Sequence, residues 1–289
     1  NVGCVALIAR YTGAKQHQQA NIVFQQAMLM GAALALLTLM LGFALSDSYM
    51  HLLTADPEVQ QQAQQFLYAY LPGLALMFVS TAIAAALRAV GVVKPAMMVQ
   101  LITVLLNIVL APVLIAGWGT GYALGVFGAG LATSIAVALG VILLWIYFLK
   151  SDHSVLQTPK QWRFDAKVWR QITAIGVPAG GEFALMFVFT AFVYWVIKDF
   201  GTATQAAFGI GNRILQAMMM PAMALSFALP AIVGQNYGAG HADRVRQCFK
   251  IGLTQMALVM LPLFLLCCST VFCAARKASA YRSITPSAG

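Results

Sequence analysis

The chain has 289 residues, of which 61% are hydrophobic and only 9% are charged, and its formal net charge is +9. A water-soluble globule of this size needs more polar side chains to cover its surface, so most of the surface is predicted to face lipid. A nucleic-acid-binding domain is excluded as well, because the basic residues are divided among short segments and form no clustered basic face.

Apolar runs long enough to span a bilayer follow one another along the chain. Lipid cannot satisfy open backbone groups, and the period-two alternation of a barrel is absent, so each run is predicted to be an α-helix. The predicted fold class is all-α, a polytopic membrane helical bundle with about seven to eight helices. The predicted spans are a partial helix near 1–9 and full helices near 21–46, 63–89, 95–117, 126–149, 169–197, 203–233 and 246–272.

Lys and Arg concentrate in every second loop, which assigns those loops to the cytoplasm. The basic loops are 10–20, 88–94, 150–170 and 241–250, whereas the alternate loops 47–62, 117–126 and 198–202 are poor in Lys and Arg. The net charge is therefore a signal of topology. We expect a multi-pass protein of the cell inner (plasma) membrane.

Both ends of the chain depart from this pattern. Asn1 lies at the edge of an apolar stretch, so we expect the natural beginning to lie upstream. The span 246–272 begins at the cytoplasmic face and should end outside the cell, yet residues 274–289, which follow it, contain Arg and Lys. These residues also lack apolar periodicity. We interpret them as an unstructured and non-native tail, truncated or frame-shifted.

An internal repeat relates the two parts of the chain. Residues 7–15, LIARYTGAK, resemble residues 232–240, IVGQNYGAG, and each copy ends an apolar run before a polar start to the next helix. Two similar halves are thereby implied, as in many transporters. Restoring the symmetry gives two inverted or pseudo-symmetric six-helix lobes, with the polar link 150–168 as their boundary.

Four segments then identify a family. Residues 233–240 resemble the loop after the eighth helix of the multidrug and toxic compound extrusion (MATE) antiporters. The other matching segments are 87–91 with Lys94 and Pro95, 106–110 with Pro112, and 176–180 with Glu182. Each motif is weak alone, but their order and spacing together are specific, and the resemblance covers about residues 1–272.

The resemblance implies a twelve-helix fold of two lobes around a central cavity. It implies export of organic cations or amphiphilic drugs in exchange for Na⁺ or H⁺ by alternating access. On this basis residues 1–160 correspond to the N-terminal lobe, from part of helix 2 to helix 6, and residues 161–273 to helices 7 to 9 of the C-terminal lobe. Ala111 stands where relatives often carry Asp, so ion coupling through the N-terminal lobe is not assigned.

Two charged residues fall inside predicted spans. Glu182 lies about 12 residues into one span and Arg213 about 10 into the next, which at roughly 1.5 Å per residue places both near mid-membrane depth. A charge there costs roughly 2.5–3.5 kcal/mol on the gentler scales, so it needs a partner, a cavity or a function. We expect Glu182 to bind the coupling cation or proton and Arg213 to line the cavity, and many relatives carry such residues at matching places. The alternatives are a buried pair of the two, or bonds from Arg213 to backbone carbonyls.

Polar uncharged residues within the predicted spans either line the cavity and contact substrate or bridge helices by hydrogen bonds, and the sequence leaves both roles open. They are Asn107, Tyr194, Gln205, Asn212 and Gln216. A separate group, Gly234, Gln235, Asn236, Gly238 and Gly240, forms the loop motif and is predicted to be structural.

Enzyme chemistry finds little support. The four histidines fall in different loops, no phosphate-binding loop occurs, and the five cysteines show no metal-ligand spacing. We expect no cofactor and no metal site apart from Na⁺ or H⁺ as the coupling ion. The expected partners are small organic cations or drugs and the lipid bilayer, with no nucleic acid, and the protein is expected to be a monomer.

Two other functions stay open. A flippase for lipid-linked precursors has a related architecture, but it needs a basic cavity that a lone Arg213 supports only weakly. A non-functional gene fragment of a transporter agrees with the missing Met start and the basic tail.

Overall fold

The computed structural model of the chain describes residues 1–53, 57–118, 121–150, 164–197 and 200–284. Its described part is all-helical. The helices are α1 (Val2–Gly13), α2 (His17–Leu53), α3 (Pro57–Ala89), α4 (Lys94–Ala116), α5 (Gly125–Lys150), α6 (Ala166–Ile197), α7 (Thr202–Gly238) and α8 (Ala242–Ile284).

Seven of these helices, α2 to α8, are long and apolar enough to cross a membrane, and α1 is a shorter apolar helix. The predicted all-α membrane fold is therefore confirmed, and every predicted span corresponds to one helix. The predicted unstructured tail is wrong up to Ile284, because α8 continues to that residue. Ala, Arg and Lys, which are frequent there, are good helix formers even without an apolar face. Residues 285–289 lie outside the described part, as does most of the predicted link 150–168.

The chain divides into two compact units. Unit 1 comprises Asn1–Gly180 and Pro230–His241, and unit 2 comprises Gly181–Leu229 and Ala242–Gly289. Both α6 and α7 are thus shared between the units. This division does not coincide with the lobe boundary predicted near residue 160, which stays a prediction.

The core of unit 1 lies where α1, α2, α3 and α5 meet. Ile8, Phe24, Ile83 and Leu87 are fully buried in it. Phe24 packs on Phe148 of α5 with ring centroids 5.0 Å apart. Small residues let the helices approach closely, as is typical of helix packing in lipid. They include Ala82, Ala85, Ala86 and Ala89 on one side of α3.

A hydroxyl group of α5 replaces a backbone hydrogen bond that is missing from α3 beside Pro72. Pro72 lies inside α3 and brings no N–H to its hydrogen-bond ladder. One residue on, Gly73 N donates to Ser134 Oγ at 3.0 Å, and the same hydroxyl donates to the carbonyl of Ala69. Ser134 thus bridges the two groups that a regular helix would pair with each other. A lost backbone bond in a membrane helix needs such a replacement, because lipid supplies none.

Ser134→Ala is expected to destabilise unit 1 by about 1 kcal/mol, because it removes both bonds of this buried bridge. Thermal unfolding of the purified protein in detergent measures the effect. Thr190→Val is the control, since its hydroxyl bonds only to Met186 O of its own helix at an exposed position. Equal melting temperatures for the two variants would show that the bridge contributes nothing.

Candidate functional site

Within unit 2, an aromatic contact joins the C-terminal end of α6 to the N-terminal part of α7. The rings of Tyr194 and Phe208 meet edge to face, with centroids 5.1 Å apart and an interplanar angle of 86°. This geometry is favoured by aromatic pairs. Tyr194 nevertheless stays 38% exposed.

Gly209 leaves room for the hydroxyl of Tyr194. A Cβ at this position would lie 3.1 Å from Tyr194 Oη, closer than most real contacts. Gly209 thus sets how near the tyrosine approaches α7. The sequence analysis did not select it, although its position between Gln205 and Asn212 was an available signal.

The predicted polar residues of α7 follow a single face of the helix. Gln205, Gly209, Asn212 and Gln216 are spaced by four, three and four residues, which places them in one row. Gln205 and Asn212 are half-buried and Gln216 is exposed. Since Gly209 in this row faces Tyr194, the structure brings the tyrosine to the polar row. We call Tyr194, Gln205, Asn212 and Gln216 the polar set.

Glu182 lies at the middle of α6, and Arg213 lies in the first third of α7. Both side chains are exposed, and among the described residues no ion pair joins them. Taking Tyr194 and Phe208 as facing positions, Arg213 lies about 10 Å nearer to that contact along its helix than Glu182 does, at roughly 1.5 Å per residue. The alternative of a buried Glu182–Arg213 pair therefore finds no support. The prediction that both residues lie near mid-membrane depth stays a prediction.

Asn107 belongs to unit 1, where it joins two helices. Its Nδ2 donates to Thr133 Oγ1 of α5 at 3.1 Å, and that hydroxyl donates to Ala129 O at 3.2 Å. Of the two roles left open by the sequence, this geometry favours the bridge. A role in contacting substrate stays a prediction.

Asn107→Leu is expected to lower stability by about 0.6–1.7 kcal/mol, the range for hydrogen bonds between membrane helices. Thr133→Val should cost a similar amount, and the double variant should cost little more than either one. Thermal unfolding of the three variants gives this double-mutant cycle. Additive losses would mean that the two side chains do not act on each other.

The loop motif lies at the end of α7, within unit 1. Gln235 Nε2 donates to Ala89 O at the end of α3 over 2.6 Å, and Asn236 Nδ2 donates to Ile232 O over 2.9 Å. Gly240 has a φ of +77°, a left-handed conformation that favours glycine. The motif therefore ends a helix and ties it to a neighbour.

Among the described residues, no group of three or more His, Cys, Asp or Glu side chains could hold a metal ion. Glu182 lies in the middle of an apolar helix.

The profile of the MatE family matches residues 1–113 and 178–278. The probable multidrug resistance protein YoeA of Bacillus subtilis is 25% identical over 255 residues, which are 87% of this chain and 55% of that protein. The multidrug export protein MepA of Staphylococcus aureus is 27% identical over 278 residues, 94% of this chain and 58% of that protein. The chain therefore spans little more than half the length of these relatives.

Solved structures show the same fold. An outward-facing multidrug resistance MATE transporter of the MOP superfamily superposes with a TM-score of 0.83 at 22% identity, over 92% of this chain and 58% of that chain. A MOP superfamily transporter from Pyrococcus furiosus gives 0.80 at 22% identity, over 91% and 57%. That second protein is described as having a binding pocket of reverse polarity that suggests a different function.

Proposed function

Because the chain belongs to the MatE family of membrane transporters, we propose that it acts in a secondary active efflux antiporter. The transporter exports organic cations or amphiphilic drugs in exchange for Na⁺ or H⁺ by alternating access. It works in the plasma membrane as a monomer. Relatives named for multidrug resistance and export support the substrate class.

The observation that carries the proposal is the combination of an aromatic ring, a polar row and a mid-helix carboxylate within unit 2. An organic cation is attracted to the face of a tyrosine ring, and the attraction is larger where water is excluded. The amides of Gln205, Asn212 and Gln216 offer both donors and acceptors, which suits ligands of varied shape. The polar set therefore binds organic cations with little demand on their exact structure.

Glu182 supplies the coupling. An ionised carboxylate at this depth is costly unless a cation or proton neutralises it. Na⁺ or H⁺ and the organic cation both neutralise the Glu182 carboxylate, so binding of one weakens binding of the other. Exchange follows if each conformational change requires a neutralised Glu182.

Arg213 provides the one observation in favour of a different substrate. It is exposed and has no acidic partner among the described residues, so its charge would attract an anionic ligand to this part of α7. A flippase for lipid-linked precursors would bind a phosphate there. The carboxylate of Glu182, about 10 Å farther from the aromatic contact along its helix, opposes that function.

Equilibrium binding of ethidium to the full-length purified protein tests the proposal, with fluorescence as the readout. We expect saturable binding that either added Na⁺ or a lower pH weakens, because the ion and the dye compete for one charge. A short polyprenyl phosphate is the comparison ligand. Binding of the phosphate but not of ethidium would replace the antiporter by the flippase.

A further inference from the structure

The two copies of the sequence repeat end in the same backbone structure. After α1, the N–H groups of Ala14, Lys15 and Gln16 bond to the carbonyls of Arg10, Thr12 and Tyr11. After α7, the N–H groups of Ala239, Gly240 and His241 bond to those of Gln235, Tyr237 and Asn236. Each bond of the first set has its counterpart 225 positions later, the offset of the repeat. Both ends are Schellman motifs, with Lys15 at φ +58° and Gly240 at φ +77°.

These two ends also pack against each other within unit 1. A Cβ on Gly13 would overlap the carbonyl oxygen of Gln235, and a Cβ on Gly238 would overlap the carbonyl oxygen of Arg10. Gly13 is the counterpart of Gly238 in the repeat, and Arg10 is the counterpart of Gln235. The contact is therefore self-complementary, like the interface of a two-fold dimer. We call these four residues the glycine crossing.

Side chains around the glycine crossing tie it to a third helix end. The guanidinium carbon of Arg10 lies 5.3 Å from the ring centroid of Tyr237, a cation–π distance. Gln235 Nε2 donates to Ala89 O, the last carbonyl of α3. The ends of α1, α3 and α7 thus meet at one place. All three precede loops rich in Lys and Arg, which the charge pattern assigns to the cytoplasm.

The nature of the contact makes it suitable for opening and closing. At Gly13 and Gly238 the contact consists of backbone against backbone, at helix ends where both glycines are half-buried. Parting backbone from backbone at these two positions exposes less apolar surface than parting a packed core does. Pro230 begins the last segment of α7 and removes one backbone donor there, which permits a bend.

We propose that the glycine crossing is the cytoplasmic gate of the transporter. In the structure it is closed, and it opens when the ends of α1 and α7 part about their local two-fold axis. The proposal rests on the proposed function, because a gate requires alternating access. Glycine is needed at positions 13 and 238 because only the absence of Cβ allows the closed approach.

Spin labels test the gate without reference to transport. The full-length protein, with its five native cysteines replaced, carries Gln16→Cys and His241→Cys, which are exposed counterparts in the repeat. Pulsed EPR then gives the distance distribution between the labels. Gly13→Ala and Gly238→Ala should each move population from a short to a longer distance. The control Gly211→Ala makes the same change on α7, where a Cβ meets nothing within 4 Å, and should leave the distribution unchanged.

The gate is overturned if Gly13→Ala and Gly238→Ala lower the melting temperature but keep the short distance, since the crossing would then be a fixed packing contact. If either variant fails to fold, a disulfide crosslink between α1 and α7 tests the gate in its place. A Cβ on Gly234 would lie 2.8 Å from Ala9 Cβ, so Ala9→Cys with Gly234→Cys forms a disulfide after a shift of about 1 Å. Oxidation should stop ethidium efflux and reduction should restore it.

Efflux that continues through the oxidised protein would also overturn the gate. If the cysteine-free parent, which keeps Ala9 and Gly234, moves no ethidium at all, the proposed function has failed instead. The EPR distances then remain as the independent test of the crossing.

Discussion

Glu182→Gln is expected to abolish gradient-driven ethidium efflux while leaving the amount of folded protein in the membrane unchanged. The substitution keeps the size and the hydrogen-bonding capacity of the side chain and removes only the charge that the ion and the organic cation share. Coupling free energies between sites are commonly about 1–3 kcal/mol, so losing the coupling should remove a roughly 5–150-fold effect of the ion on the equilibrium affinity for the organic cation. Efflux from preloaded cells, normalised to the protein detected in the membrane, measures the change.

The matched control for this variant is Glu58→Gln, the identical substitution in the first turn of α3. Glu58 is exposed and lies at the end predicted to be extracellular. We expect this variant to transport at the parental rate. Equal efflux from Glu182→Gln and Glu58→Gln would show that Glu182 has only a structural role and would remove it from the mechanism.

Gly130→Leu should have the largest effect on stability. A Cβ on Gly130 would lie 2.6 Å from Phe66 O, 2.9 Å from Ala69 Cβ and 3.1 Å from Tyr70 N, so α5 meets the backbone of α3 there. Backbone atoms cannot rotate away as a flexible side chain does. Overpacking typically costs 1–3 kcal/mol, and a leucine against backbone should cost about 3 kcal/mol or more. Thermal unfolding in detergent and the yield of monodisperse protein are the readouts.

Gly211→Leu provides the comparison for this variant. It introduces the same side chain into a membrane helix at a glycine where a Cβ would meet nothing within 4 Å. Its melting temperature should equal or exceed that of the parent, because leucine forms helix better than glycine. If Gly130→Leu unfolds at the same temperature as Gly211→Leu, the α3–α5 contact is looser than described.

The helices were predictable from the sequence because lipid imposes a simple rule. A span needs an unbroken run of apolar residues, and each predicted span from 21–46 to 246–272 corresponds to one helix. The rule says little about helix ends that leave the membrane. The helical segment of α8 up to Ile284 was therefore missed, since hydropathy carries no information there.

The candidate site was only partly predictable, because amino-acid composition and hydropathy do not specify which side chains of two helices contact each other. Asn107 and Gln205 are equally polar in the sequence, and only the structure shows that Asn107 bonds to Thr133. Gly209 was missed, since a glycine has no side chain to signal its neighbour. The relative depth of Glu182 and Arg213 depends on the register of α6 against α7, which hydropathy does not specify.

For the repeat, the sequence predicted the similarity of the two copies but not the contact between them. Residues 7–15 and 232–240 were matched by sequence alone, and the structure adds that the two copies contact each other through Gly13 and Gly238. Sequence similarity implied two similar halves, and the structure shows that the two copies share a local structure, including the left-handed residue that ends each helix. Sequence similarity did not show that they meet, because that depends on how the helices cross.

The most direct test of the antiporter is ethidium transport by the full-length protein in sealed proteoliposomes, with a Na⁺ gradient or a pH gradient imposed separately. The account predicts that one of these gradients drives ethidium against its own concentration difference. It also predicts that Glu182→Gln removes this uphill movement while Glu58→Gln retains it. Ethidium that only equilibrates, at a rate independent of both gradients, would contradict the account.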